Sequence, residues 1–459
     1  MTTLVPGVLE GQTVQGDLTV SADVCVVGSG AGGAVTAARL AEAGLSVVVL
    51  EEGGYFTQSR FRMREADAFP QLYQEAGQRV TKDLSLSVFQ GRAVGGTTVV
   101  NWTTSFRTPE ATLERWRTHH AVTGLDAATL APHFEAVEAR LGIAESPLAL
   151  ANRPNKLLYD GARALGWAAE PLRRNVRGCA HTGYCGYGCP IDAKQSMLIT
   201  YLPDAMRAGA TVISRCRVER LELEGSRVVA VRGTFLDALG LAPTGATLRL
   251  TARSFVLAAG AIGTPAILLR SGAPDPHQRA GRRTFLHPVV AQVAIMDERV
   301  DGFRGAPQSV ASHQFADRGA DVGYFLEAAP VQPALLAIAL PGFGHEHHQR
   351  MQQLRHLAPH VALAIDGHHD GEEGGRVTLR PSGAPVLDYT VSPKIWAAVR
   401  EAQRSMARIH LAGGARQSVT GHTHPIVIER EADLARLDAA DYGPSKVGMY
   451  SAHVMGGAG

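Results

Sequence analysis

The chain has 459 residues, with 45 Lys and Arg against 43 Asp and Glu, and 45% of it is hydrophobic. That length can bury a large core and predicts more than one domain, while the near-neutral balance excludes a basic field for nucleic acid and a polybasic membrane tail. No apolar run approaches the roughly 20 residues that span a bilayer, and the polar start lacks a signal-peptide pattern. A soluble, cytoplasmic protein is expected, with any peripheral membrane association running through a partner.

Residues 23–27 form a short apolar run, as expected of a parallel strand buried on both faces. Gly28, Gly30 and Gly33 then fall in the G-x-G-x-x-G pattern. The first glycine allows a tight turn, the second lets a pyrophosphate approach the backbone, and the third lets helix and strand pack closely. Residues 34–43 favour a helix, which would present its N-terminus to the phosphates, and Gly44 would end it. Residues 46–50 read as the second strand, with Glu51 at its tip to hydrogen-bond a ribose hydroxyl. The pattern does not separate FAD from NAD. An acidic tip disfavours the ribose 2′-phosphate of NADP.

A second glycine block follows, Gly91-Arg92-Ala93-Val94-Gly95-Gly96-Thr97-Thr98-Val99-Val100-Asn101. Consecutive glycines let backbone pass close to a flat ring system, where N–H groups can stabilise charge on it. Residues 109–190 read as helical and loop-rich, with an amphipathic stretch over 130–141. From Ser196 to Leu286 αβ alternation returns: a helix over 202–208 and strands over 211–214, 218–223 and 253–258. A third block, Gly260-Ala261-Ile262-Gly263-Thr264-Pro265, follows the last of these as a helix start. Beyond His287 longer strands are expected, over 289–296 and 375–379, followed by a helix over 394–411. The chain closes on Ser451-Ala452-His453-Val454-Met455-Gly456-Gly457.

The order and spacing of these four blocks resemble the glucose-methanol-choline (GMC) family of flavin oxidoreductases, nearest the bacterial choline-dehydrogenase-like and long-chain-alcohol-oxidase-like members. The likeness runs from about Ala22 to Gly459. It departs at Ser105, where an aromatic is usual, and at Ala273-Pro274. The resemblance implies an α/β fold: a Rossmann-like FAD-binding domain with an inserted α+β substrate-binding domain on a largely antiparallel sheet. Its expected limits are 1–106 and 190–286 for the discontinuous FAD domain and 107–189 for a helical and loop segment. The substrate domain would take 287–450, and 451–459 would open a final FAD and catalytic segment that members continue for roughly another 60 residues.

The resemblance further implies FAD held by Gly28, Gly30, Gly33, Glu51, Arg92, Gly95, Gly96, Thr97, Asn101, Val218 and Gly260, with Val218 against the adenine. His453 matches the family histidine that takes the hydroxyl proton of an alcohol while hydride passes to flavin N5. His287-Pro288 matches the domain crossover, where no chemical duty for the histidine follows. With its final segment missing, the 459-residue form is expected to bind FAD weakly and turn over slowly. A non-catalytic remnant flavoprotein is one alternative, and an NAD-binding dehydrogenase another, the latter disfavoured by the second glycine block.

Three of the five cysteines, Cys179, Cys185 and Cys189, cluster with C-x5-C-x3-C spacing. This resembles the [3Fe–4S] ligand set of iron–sulfur-bearing relatives, which would send electrons on to a partner protein or quinone and favour a dehydrogenase over an oxidase. A zinc site adding His181, or simple packed thiols, are the alternatives. Cys25 reads as core. His345-Glu346-His347-His348 reads as a solvated stretch, and His422 and His424 as possible lining of the substrate cavity.

Overall fold

Four consecutive β-branched or leucyl residues, Val47–Leu50, can bury both faces only at the centre of a parallel sheet, and they do. The computed structural model describes residues 4–330, 332–369 and 371–458; the chain ends, where the outermost domain limits fall, lie outside the described residues. Val47–Leu50 stands in a seven-stranded sheet between Thr211–Ser214 and Leu18–Val27, flanked by Gly7–Glu10 on one side and Pro243–Leu257 on the other. These five strands run parallel. Arg227–Leu236 and Cys216–Glu224 then extend the sheet as an antiparallel meander. The chain is therefore of the α/β class with a Rossmann-like domain.

The first strand is longer than its apolar core suggests. Leu18–Val27 continues N-terminally because its backbone pairs in parallel register with residues 248–252, whatever its side-chain polarity. The following helix, Ala31–Glu42, starts directly after Gly30 and packs its alanines on the sheet. Val27, Leu50 and Leu257 end in register. Their carboxyl ends define the crevice where doubly wound sheets take ligands.

The second sheet has nine strands, with Val289–Ile295 and Leu357–Ala364 at its centre. Tyr324–Ala328, Val310–Ser312 and Glu170–Pro171 continue it on one side, and Gln417–Thr420 and Val427–Ile428 on the other. These pairings are antiparallel. Leu86–Val88 joins through Met449–Ser451, its one parallel pairing. Strand periodicity splits the sheet into two faces. One packs on the helices Arg153–Ala164 and Pro393–Ala412, the latter close to its expected span. The other is apolar and open. A further four-stranded sheet joins Arg282–Leu286 to Gly375–Leu379 and Val454–Gly456. Among the described residues no helix is long and apolar enough to cross a membrane.

On the helix side, four fully buried polar residues form one chain. His360 Nε2 lies 2.9 Å from the Pro154 carbonyl, which can only accept, so that nitrogen carries the proton. His360 Nδ1 must then accept from His410 Nε2 at 2.9 Å, and His410 Nδ1 from the Ser418 hydroxyl at 2.7 Å. Ser418 in turn accepts from the Gln292 amide at 2.7 Å. Any added proton would face another donor in a desolvated site. Burial accordingly lowers the pKa of His360 to about 4 and that of His410 well below its ordinary value.

The linkage follows from that direction. Unfolding frees both imidazoles to take protons at their ordinary pKa of about 6.5. Their contribution to stability is complete above that pH and is lost as pH falls toward about 4. Urea midpoints measured across this window should decline. The decline should be shallower in His360→Gln, whose amide can still donate to Pro154 but does not titrate.

Candidate active site

Two cavities meet at one threonine. The first, about 710 Å3, lies over the carboxyl ends of the parallel strands. Gly28, Gly30, Glu51, Arg92, Gly96, Thr97, Val218 and Gly260 all line it. The second, about 220 Å3, lies against the open face of the second sheet and includes Thr97, Asn101 and His453 in its wall. Thr97 borders both.

The first cavity is held open by a buried node. Glu51 accepts from the Ser29 N–H at 3.0 Å, the Ser29 hydroxyl at 2.6 Å and the Gly53 N–H at 2.8 Å. Burial raises its pKa, opposed by these same hydrogen bonds. The Gly95 N–H donates to Ser29 Oγ at 3.0 Å, so one hydroxyl ties both glycine loops to the strand tip.

The loops then touch. A Cβ on Gly96, whose φ is +57°, would lie 2.6 Å from the Gly30 Cα, and one on Gly33 would lie 1.9 Å from the Gly28 carbonyl. Gly33 and Gly95 thus shape the cradle from behind and do not line the cavity. A Cβ on Gly30 would meet nothing nearer than 3.9 Å, so that position opens into the space. No side chain caps the helix that starts after Gly30. Its first-turn N–H groups are the kind of site that takes a phosphate. Cradle, open helix end and volume together fit a dinucleotide.

Several of the contacts around this cavity carried no sequence signal. Arg92 pairs with Glu52 at 3.3 Å and donates to the Gly240 carbonyl of a distant hairpin. Arg270 braces the opposite wall by donating to the Glu219 and Val218 carbonyls. Residues 382–385 close a further side. Ser29 itself occupies a variable position of the glycine pattern, so only the structure reveals its role.

The second cavity is apolar because strand alternation makes it so. Val289, Ala291 and Val293 project from one central strand, Val361 and Leu363 from the next, and Val419 from the third. Phe69, Tyr73 and Phe89 form an aromatic group at the facing wall, Phe69 tilted against both and Tyr73 edge-on to Phe89. The short helix Pro333–Ala339 covers another side. Glu65 pins that helix by accepting from the Ala334 and Leu335 N–H groups, each at 2.7 Å. Polar atoms are few. Asn101 Oδ1 is buried without a hydrogen-bond partner. Gln308 lines the cavity and donates to Glu327, whose pKa burial pushes up to about 8.

His453 lines this cavity just before Val454–Gly456; the residue is accessible, and desolvation by the neighbouring protein lowers its pKa. Its Nδ1 lies 2.9 Å from Nδ1 of His287. His287, which had no expected duty, has its pKa lowered to about 3 by burial. His422 and His424 stay outside the cavity wall: His422 is buried on Thr420 Oγ1 at 2.9 Å. His345 and its neighbours lie on the helix Gly344–Gln352, which buries none of its residues.

Cys179, Cys185 and Cys189 border a third, very small cavity with His181. Among the described residues no group of three or more His, Cys, Asp or Glu side chains is arranged to hold a metal ion. The expected [3Fe–4S] ligand set, and the zinc alternative, therefore find no support in the geometry. Burial pushes the Cys185 thiol up, opposed by the nearby Lys194 and Arg174 charges. The buried Lys194 ammonium instead binds this loop to the second glycine block, donating to the Val99, Asn101 and Cys185 carbonyls. Its pKa is lowered to about 8 by burial.

The GMC oxidoreductase family matches residues 69–289, and the NAD(P)-binding Rossmann-like domain matches residues 26–81. An uncharacterized GMC-type oxidoreductase of Mycobacterium tuberculosis is 37% identical over 402 residues, 87% of this chain and 61% of that protein. A long-chain-alcohol oxidase of Arabidopsis thaliana is 31% identical over 404 residues, 86% of this chain and 52% of the oxidase. The chain thus spans 61% and 52% of the length of these two relatives. The crystal structure of pyridoxine 4-oxidase from Mesorbium loti matches with a TM-score of 0.66 at 17% identity, over 93% of this chain and 87% of that one, a likeness of fold.

The node makes a direct prediction. Ser29→Ala removes one donor to a buried carboxylate and the acceptor for a buried N–H. It should cost about 1–3 kcal/mol in urea unfolding. A Ser29→Ala protein as stable as the parent would show that the two loops are held by other contacts.

Proposed function

The chain belongs to the GMC oxidoreductase family, and from that premise we propose that it is an FAD-dependent oxidoreductase acting on an apolar alcohol. One observation carries this reading: the nucleotide-sized cavity and the apolar cavity share Thr97, and a histidine faces the apolar one.

In this reading the adenosine and pyrophosphate lie along Gly28–Gly30, Val218 and the end of Val47–Leu50, with Glu51 or Glu52 toward the ribose. Thr97 and the N–H groups beside Gly96 stand toward the flavin ring, and Asn101 toward the substrate side. FAD bound there would supply a hydride acceptor. The chain's own task is to hold the alcohol's carbon at the junction, keep bulk water out with the aliphatic wall, and receive the hydroxyl proton. His453 is the base for that proton. It must be neutral to accept it, and the lowering of its pKa by burial keeps it neutral at pH 7.

The lining argues for substrate class. A wall of Val, Ala, Leu and Phe offers about 25 cal/mol for each Å2 of hydrocarbon it removes from water. Each further methylene within the cavity's reach should therefore lower KM several-fold, and chains beyond its roughly 220 Å3 should gain nothing.

Two measurements check the proposal. Gly30→Leu adds a Cβ that meets nothing nearer than 3.9 Å and carries its side chain into the phosphate approach, so it should stay folded and lose FAD binding in a flavin-fluorescence titration. Full retention of flavin would sink the placement, and NAD binding in the same titration would favour a nicotinamide dehydrogenase instead. With FAD bound, His453→Ala should lower alcohol-dependent flavin reduction by about 100-fold or more. Following oxygen uptake and dye reduction together identifies the electron acceptor. Undiminished reduction in His453→Ala would remove the histidine from the chemistry.

A further inference from the structure

The sequence separates His287 and His453 by more than a third of the chain, yet two ladders bring them together. Arg282–Leu286 pairs antiparallel with Val454–Gly456, with Leu286 opposite Val454. Continued by one step, that register sets His287 opposite His453. Beyond them, Val289 pairs with Tyr450 and Val290 with Met449, so the register shifts by one residue across the junction. Such a bulge re-aims side chains. Pro288 sits within it and brings no N–H to satisfy, while its carbonyl accepts from Ala364 N–H at 2.9 Å. The two imidazoles end with Nδ1 atoms 2.9 Å apart and ring centroids 5.2 Å apart. Phe325 backs His287, with its centroid 5.3 Å away.

We propose that His287 is a positioning residue that accepts a hydrogen bond from His453 Nδ1–H and thereby keeps His453 Nε2 unprotonated and aimed into the cavity. This rests on the reading of His453 as the base. Two neutral imidazoles 2.9 Å apart share one proton, and two sharings are conceivable. If His287 were the donor, His453 would carry its proton on Nε2 and could not take one from an alcohol. After proton uptake His453 is a donor at both nitrogens. The bond therefore survives the reaction without rearrangement only if His287 Nδ1 accepts throughout.

The balance is simple. The alcohol O–H bond breaks and an N–H bond forms at His453 Nε2; the freed electron pair becomes the second C–O bond as the carbon gives up hydride to the acceptor that bound FAD would supply, and the positive charge stays on His453. The bond to His287 then becomes charge-assisted, and such bonds are roughly twice as strong as neutral ones. Burial holds His287 neutral, with a pKa of about 3, so it does not compete for the proton.

Nitrogen-15 NMR of the histidine rings at neutral pH tests this directly, because protonated and bare ring nitrogens differ widely in shift. The expected spectrum shows His453 as Nδ1–H and His287 as Nε2–H, with His453 becoming a tautomer mixture in His287→Leu. His287→Asn, which places an amide oxygen near the former Nδ1, should restore the Nδ1–H form. In the FAD-loaded protein, His287→Leu should lower kcat about 10- to 100-fold with KM within about twofold, and His287→Asn should recover most of it. A parent spectrum with His453 protonated at Nε2 overturns the proposal even if no variant folds. So does a His453 signal indifferent to His287→Leu. Retained turnover in His453→Ala would remove the base reading alone, since the tautomer spectrum still decides the bond to His287.

Discussion

Glu51 is buried at the tip of a central strand, where an unsatisfied carboxylate would cost several kcal/mol. Three donors from Ser29 and Gly53 meet that requirement. Because Ser29 Oγ also takes the Gly95 N–H, the same interaction fixes how closely the second glycine loop approaches the first. The Gly30–Gly96 contact, the open helix end and the position of Thr97 all follow from it. A nucleotide cavity and a substrate cavity can share a wall only if those two loops are registered to within a fraction of an ångström. One buried carboxylate, fully donated to, is an economical way to do it.

The second sheet solves a different problem. It must be apolar toward the cavity and yet packed on its other face. Alternation supplies both: Val289, Ala291 and Val293 face the cavity, while Gln292 between them joins the His360–His410–Ser418 chain beneath the helices. Those residues are tolerated there because each has a hydrogen-bond partner in a definite donor or acceptor role, Gln292 through its amide N–H alone. The arrangement also gives the sheet a unique register, since a one-residue slip would turn His360 into the cavity and a valine onto His410.

Local pattern was enough for four of the five parallel strands, the first helix, the glycine cradle and the helix at Pro393–Ala412, while Gly7–Glu10 carried no apolar run to mark it. In each case the residues that carry the signal are neighbours in the chain. Gly28, Gly30, Glu51, Gly96 and Gly260 were legible because a glycine spacing or a strand tip marks each, Val218 only through the family resemblance, and all six line one cavity. Ser29 was not legible, since its value lies in a hydroxyl reaching across 66 residues. His287 was seen only as part of a His-Pro crossover. Its partner is set by ladder registers between segments 166 residues apart, which no local periodicity encodes. The cysteine spacing left cluster, zinc and packed thiols open because spacing along a loop does not decide between them; among the described residues no metal-holding group forms there, and Lys194 organises that loop through carbonyls.

Burial acts toward the neutral form on five titratable groups that line or back the apolar cavity. It pushes His287 and His453 down, and Glu327 and the phenols of Tyr73 and Tyr450 up. All are neutral at pH 7. A neutral wall penalises a charged substrate, which would lose its hydration with no counter-ion to replace it. It also denies His453 a carboxylate to orient it or to stabilise its protonated form, the arrangement on which a histidine base most often relies. In such a site the hydrogen bond at Nδ1 is the remaining means of fixing the ring's tautomer, and a second imidazole too buried to charge supplies an acceptor without adding a charge to the cavity.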